Sequence, residues 1–433
     1  MEGIIVNEDL IDKMRQKLIS GRLWPLEAQA ELSVEILREK LDKILPWAME
    51  SSDIDFWIVM GKENNEDPTM KTFFSWDMPN ARRVSILTFY YDKKSKKVRK
   101  MMLGNHSPIM NLLYENVQNK NENCWEGLKR IIDEINPRSI AIQKSNNYSF
   151  CDGLTFTLHK NLMEILSDSQ KNKVCSAEKL SVKWLQKVTA KELEVLKILT
   201  EITQDIIKTT FSSDSIKINE TTTTDLEWMM RNTILMLGLD FWFGPDIDMQ
   251  RYGNSVSRIF GERINYGDFL HCDVGVFCRF INLHTDMQWV CYVRTQGEKF
   301  VPQGLKELLV KGNRLQDIVT SNFKYKKTGN DVFFESVSKA KEEGLKPMIY
   351  SHPIGTFGHG SGTSIGRYDI QGVVEGGGEC PIENQTCYAL ELNICDNLSE
   401  WNGQEVYMYL EEDIYFDGKV SYILGRQTEI IEI

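Results

Sequence analysis

Four apolar, strand-like runs in the second half of the chain each carry one carboxylate where a hydrophobic residue would be expected. Asp273 lies in Leu270-His-Cys-Asp-Val-Gly275 and Asp286 in His284-Thr-Asp-Met-Gln288, while Glu391 follows Tyr388-Ala-Leu and Glu411 follows Met408-Tyr-Leu. A carboxylate in a buried sheet position must be neutral, paired or bound to a cation. Several that converge cannot all stay ionised without positive charge between them. His352, in the loop before Gly362, adds one imidazole to the set. Oxygen donors with an imidazole suit divalent ions such as Mn²⁺, Co²⁺, Fe²⁺ or Zn²⁺, and two such ions together can activate water and polarise a carbonyl.

The runs around these residues, Asp268–Phe280, Asp286–Val293, Thr386–Ile394, Val406–Tyr415 and Val420–Leu424, alternate with helical patterns. Thr189 with Glu192, and Thr224 with Glu227, have the spacing of capping boxes. Further helices are predicted at Gln303–Phe323 and Asp331–Glu343, the latter stopped by Gly344. The C-terminal unit is therefore predicted to be α+β, with helices on a largely antiparallel sheet. Upstream the pattern is mixed α/β: a helix over Glu31–Leu45, strands at Phe56–Met60 and Ser139–Gln143, and a hairpin of Arg83–Tyr91 with Lys97–Leu103. At 433 residues the chain exceeds one ordinary core, so two domains are expected, 1–180 and 181–433. His106 and His159 are isolated, and no catalytic constellation is visible in the first part.

A net charge of −11 disfavours a nucleic-acid partner, because phosphate-backbone binding draws on clustered Lys and Arg. The basic stretch Lys93–Lys100 reads as a solvated hairpin. Met1–Arg15 contains Glu2, Glu8, Asp9 and Asp12 and lacks the apolar core of a signal peptide. No run of about 18 apolar residues occurs, so a soluble protein with no membrane partner is expected. The nine cysteines form no C-x-x-C pair. Cys272, Cys278, Cys291, Cys387 and Cys395 sit in apolar runs and read as small buried hydrophobes, which fits a cytoplasmic location.

From about Val188 to Ile433 the chain resembles the pita-bread metallopeptidases, the family of methionine aminopeptidase, aminopeptidase P, prolidase and creatinase. That family's metal ligands come in the order Asp, Asp, His, Glu, Glu, and Asp273, Asp286, His352, Glu391 and Glu411 stand here in that order. The most specific match is His352-Pro-Ile-Gly-Thr-Phe-Gly-His359, in which a metal-binding His is followed seven positions later by a His that contacts substrate. The resemblance implies a pita-bread catalytic domain preceded by a smaller creatinase-like α/β domain that helps to form a homodimer. It also implies two divalent ions per chain, with Mn²⁺ first among the candidates. Asp273 would hold one ion, Asp286 and Glu411 would bridge both, and His352 with Glu391 would hold the other. Glu391 would act as general base and His359 would stabilise the reacting amide. The implied substrate is a peptide cut at its N-terminal bond, with Xaa-Pro the expected bond, as in aminopeptidase P or prolidase.

Several positions depart from the family pattern. The two Asp are thirteen positions apart, more than is usual, but an even insertion in a hairpin keeps both side chains on one face. Met348 and Tyr409 stand where relatives carry His and Arg, and Gly244-Pro-Asp-Ile-Asp-Met-Gln-Arg251 has no counterpart of an upstream substrate-binding His. These departures spare the metal ligands and bear on proline specificity. Glu412 and Asp413, beside Glu411, read either as solvated or as supports behind the ligands, the solvated reading being favoured. Two rival functions remain: hydrolysis of a small-molecule C–N bond, as in creatinase, and a non-catalytic binding module, as in histone chaperones. Both of those lines lack the full ligand set.

Overall fold

The computed structural model describes residues 8–433; the expectation drawn from Glu2 lies outside the described residues. The chain divides into two compact units. One is Gln29–Thr189, and the other is Ala190–Ile433 with the described residues up to Ala28.

In the Gln29–Thr189 unit six strands form one mixed sheet in the order Glu115–Asn116, Lys97–Leu103, Val84–Asp92, Phe56–Lys62, Ile140–Ile142, Val174–Ser176. Phe56–Lys62 is central and covered on both faces, which is why it reads as an unbroken apolar run rather than an alternating one. Phe56, Ile58 and Met60 pack with Leu128, Ile131 and Ile132 of the Cys124–Ile135 helix and with Leu158 and Leu162 of the Phe156–Ile165 helix. On the opposite face Trp57 meets Phe73 edge-on, and Phe73 stacks on Trp184 at 4.4 Å between ring centres. The predicted hairpin forms, with Asp92 paired to Lys97 across its turn. The helix predicted over Glu31–Leu45 is longer than expected: Leu26–Glu39 continues through a π-helical turn, Lys40–Ile44, into Leu45–Ser51.

The Ala190–Ile433 unit surrounds its strands with four long helices, Ala190–Thr210, Thr223–Met236, Gln303–Asn322 and Gly329–Glu342. Strands Asp246–Gln250, Phe269–Val274 and Met287–Tyr292 lie side by side and antiparallel. The apolar faces of the last two helices close over the remaining strands in one core that includes Leu305, Leu309, Ile318, Val332, Tyr388, Leu392, Met408 and Phe416. The runs predicted as continuous strands over Thr386–Ile394 and Val406–Tyr415 are each broken. Thr386–Ala389 pairs with Asp413–Phe416 in one sheet, and Leu392–Leu398 pairs with Gln404–Leu410 in another. Both breaks fall at the glutamates: Leu390 and Glu391 in one run, Glu411 and Glu412 in the other. At each seam the chain passes from one sheet to the other, and Glu411 keeps a single backbone bridge, to Gln288.

No described helix is long and apolar enough to cross a membrane. Cys272, Cys278, Cys291 and Cys387 are buried as expected, but Cys395 is only half-buried, because its strand reaches the Glu405 carboxylate at the surface. All nine cysteines are free thiols. The cap of the Thr223–Met236 helix also differs from the sequence reading. Thr222, not Thr224, has the extended backbone of a cap; its hydroxyl accepts the Asp225 N–H at 3.1 Å while Asp225 accepts the Thr222 N–H at 2.9 Å. Thr222→Ala should therefore lower unfolding free energy by about 1 kcal/mol, read from the shift of the urea midpoint, whereas Thr224→Ala, on the exposed face, should leave it within about 0.5 kcal/mol.

Candidate metal centre

Asp273 lies opposite Gln288 in the strand register, and Asp286 precedes Gln288 by two residues. The alternation of a strand then sets Asp273, Asp286 and Gln288 on one face, so the thirteen-position spacing is accommodated by a short two-stranded excursion, Val276–Cys278 with Leu283–His284. Glu411 is drawn to the same place by a backbone bridge, its N–H and C=O each bonded to Gln288 at 3.2 Å. His352 opens the His352–Ile354 strand and lies opposite Ala389, two residues before Glu391.

The five sequence-predicted ligand positions converge. His352 Nε2 is 3.6 Å from Asp286 Oδ2, 3.8 Å from Glu391 Oε2 and 3.5 Å from Glu411 Oε1. Asp273, Asp286 and Glu411 form a second group whose oxygens lie within 4.8 Å of one another. His359, exposed at the edge of the site, comes within the same reach of Asp286 and His352, and the two imidazoles meet perpendicularly at 4.6 Å. Trp242 braces His359 from the other side at 5.0 Å between ring centres. Trp242 in turn lies so close to Gly358 that a Cβ there would fall 2.3 Å from its ring, so only glycine fits that turn.

The donor atoms fit divalent cations. Asp273 Oδ1, Asp286 Oδ1, Glu411 Oε1 and His352 Nε2 are buried and carry no hydrogen bond, an arrangement that costs several kcal/mol if nothing compensates it. His352 Nδ1 faces the Pro353 carbonyl at 3.1 Å, which leaves the Nε2 lone pair directed at the carboxylates, as a metal-binding imidazole requires. Burial and the charges of Asp286 and Glu391 push the Asp273 and Glu411 carboxyls well above the usual carboxylate range. Burial also takes Glu391 up to about 8, against the lowering pull of His352. Burial opposes charge on His352, yet Asp286 and Glu391 hold its pKa above the ordinary value. His359 is shifted down, by burial and by His352. These carboxyls can ionise together only with added positive charge among them.

Glu412 and Asp413 are not solvated, contrary to the sequence reading. Each is about 1% exposed, because the seam at residues 411–412 faces both away from solvent. Glu412 Oε1 accepts the Trp289 indole N–H and the Gln427 N–H, at 2.8 and 2.7 Å. Asp413 accepts the Asp286 N–H at 3.3 Å and the Thr200 hydroxyl at 3.2 Å, and so fixes the backbone beneath a predicted ligand. The sequence reading also passed over Gln288 and His271, although both lie two residues from a predicted ligand on the same strand face and could have been found by that spacing. Asp248 and Arg258, which complete their surroundings, join only through strand pairing and a long loop.

The pH dependence of the metal-free protein follows from these shifts. Asp273, Glu391 and Glu411 have folded-state pKa values above their unfolded ones, so the native state binds more protons and stability falls as pH rises toward about 8. Thermal melting of chelator-treated protein should therefore decline from about pH 5.5 to about pH 8.5, and saturating Mn²⁺ should make the decline shallower, since cations favour the ionised carboxylates of the cluster; the buried carboxyls of Glu412, Asp413 and Asp67, raised by burial, keep part of it. A metal-free melting temperature that rises across that window would contradict this electrostatic account.

No family model and no curated protein matches the sequence. Solved structures do. An X-Pro aminopeptidase from Thermotoga maritima superposes with a TM-score of 0.64 at 15% identity, covering 89% of this chain and 100% of that one. An Xaa-Pro dipeptidase from Bacillus anthracis gives 0.60 at 15% identity, over 93% and 100%. The N-terminal domain of FACT complex subunit SPT16 from Cicer arietinum gives 0.56 at 11% identity, over 90% and 96%. The chain thus has the pita-bread fold, with the smaller N-terminal domain that accompanies it in these peptidase structures.

Proposed function

We propose that the protein is a dinuclear metal-dependent peptidase that hydrolyses the N-terminal bond of a peptide, with Xaa-Pro as its preferred bond. The observation that carries this reading is the convergence of four carboxylates and one imidazole, with buried atoms of Asp273, Asp286, Glu411 and His352 that have no hydrogen-bond partner. A surface that only docks another protein gains nothing from burying mutually repelling carboxylates, whereas a cation site needs them. This weighs against the binding-module alternative, which the likeness to the FACT subunit domain keeps in view. The aminopeptidase and dipeptidase likenesses support the choice of substrate class.

In this reading Asp273, Asp286, His352, Glu391 and Glu411 would together hold the two ions. Divalent ions bound there supply Lewis-acid polarisation and a water that ionises near neutral pH. Glu391, at the more open side of the cluster with its side chain 15% exposed, takes the proton from the attacking water. His359, braced by Trp242, donates a hydrogen bond to the substrate amide as charge develops on it. A proline amide lacks an N–H, so selection for it rests on shape rather than on an added hydrogen bond.

A screen of Xaa-Pro dipeptides and tripeptides against matched Xaa-Ala peptides, with Mn²⁺, Co²⁺ or Zn²⁺ added, tests the activity. Release of the N-terminal residue is expected, faster from Xaa-Pro; no cleavage of any peptide by metal-loaded protein would remove the reading. Within it, Glu411→Gln should lose one ion and nearly all activity. His352→Ala should lower metal content together with kcat, whereas His359→Ala should keep both ions and lower kcat by roughly 10²–10³-fold. Metal loss in His359→Ala with retention in His352→Ala would reverse the two assignments.

A further inference from the structure

Gln288 is buried at the meeting point of the two glutamates. Its amide nitrogen donates to Glu411 Oε2 at 2.9 Å and to Glu391 Oε1. Carboxylates at the cluster act as acceptors, so the nitrogen must face them and the amide oxygen must face away. That oxygen lies 3.0 Å from His271 Nε2, which therefore donates to it. The other ring nitrogen, Nδ1, is 2.9 Å from Asp248 Oδ2. Asp248, fully buried, also accepts from the Arg258 guanidinium, at 2.7 Å from Nε and 2.6 Å from a terminal nitrogen. Arg258 is partly exposed and lies over the rings of Tyr409 and Phe260, at 5.6 and 4.9 Å.

The strand register builds this chain of bonds. His271 is opposite Asp248 on one side and Val290 on the other, so Gln288, two residues from Val290, is its diagonal neighbour on the same face. Asp246, Asp248 and His271 have donor atoms within 4.8 Å of one another, but both nitrogens of His271 are engaged and Arg258 already pairs with both carboxylates. That cluster is a support for its neighbours rather than a separate ion site.

We propose that Gln288 is a positioning residue, whose amide holds one oxygen of each glutamate and turns the others, Glu391 Oε2 and Glu411 Oε1, toward His352, and that His271 and Asp248 lock the amide in that orientation. The inference rests on the metal-centre reading. Those two outward oxygens are the ones 3.8 and 3.5 Å from His352 Nε2. A neutral amide suits this task, because a Lys or Arg in its place would neutralise the carboxylates that a cation needs, and an acid would add to their repulsion. Outer hydrogen-bond partners of metal ligands commonly set affinity in this way.

The test is calorimetric titration of chelator-treated, full-length protein with Mn²⁺, together with the absorption spectrum of the Co²⁺-loaded form. Gln288→Met, close in volume but without donors, should weaken Mn²⁺ binding by about 10–100-fold and change the Co²⁺ spectrum. His271→Phe should weaken it by about 10-fold, and the double variant should bind no more weakly than Gln288→Met alone, because His271 acts through the amide. Asp248→Asn, which can still partner His271, should retain more affinity than Asp248→Leu; this comparison stands even if Gln288→Met fails to fold. Undiminished Mn²⁺ affinity in folded Gln288→Met, multiplicative losses in the double variant, or equal affinities for the two Asp248 variants would each overturn the proposal. Wild-type protein that takes up no Mn²⁺ would instead overturn the metal-centre reading, a result visible before any variant is made.

Discussion

Mutual repulsion among Asp273, Asp286, Glu391 and Glu411 is the constraint around which the Ala190–Ile433 unit is arranged. Four carboxylates within a few ångströms, largely out of water, cannot share a low-dielectric site in ionised form unless protons or cations intervene. The protein supplies two imidazoles, His352 and, at the edge, His359, and brings no Lys or Arg into direct contact with the group among the described residues. The Arg258 guanidinium pairs with Asp248 and Asp246 and not with the cluster. The remaining charge is left for protons or cations to balance, and a cation bound there would link folding to metal affinity.

The backbone meets this constraint with ordinary devices. Strand alternation puts Asp273, Asp286 and Gln288 on one face. The two seams, at 390–391 and 411–412, let Glu391 and Glu411 leave one sheet before the chain enters the next. Asp413 and Glu412, next to Glu411 and themselves buried, hold backbone and indole N–H groups rather than the cluster. Apolar helices cover the outer side of the flanking strands, so the carboxylates sit in a strand, as Asp273 does, or in two-residue breaks between strands. His359 is the exception: it lies in the turn after His352 and owes its place to Trp242 and to the close approach at Gly358.

Much of this was legible in the sequence because the signal was local. Carboxylates in apolar runs, a His pair seven positions apart, and hairpin and helix patterns all announce themselves in a few residues. What escaped was non-local or lay in choices between equivalent neighbours. Continuous apolar patterning over Thr386–Ile394 cannot reveal that pairing partners change at Glu391. Thr222 and Thr224 both offer cap spacing, and only the backbone angle decides between them. Glu412 and Asp413 looked solvated since charged residues in a row usually are, and their burial depends on Trp289, Gln427 and Thr200 from distant segments. The Asp248–His271–Gln288 chain likewise exists only once three strands are in register.

Fold alone does not assign chemistry, for the same architecture serves peptidase structures and a FACT subunit domain. What separates the possibilities is whether the acidic cluster takes up ions. The most direct measurement is the metal content of chelator-treated protein after reconstitution with Mn²⁺ and removal of free ion, read by mass spectrometry under native conditions. Close to two ions per chain is the expected result. A folded chain that retains none would contradict the account at its centre.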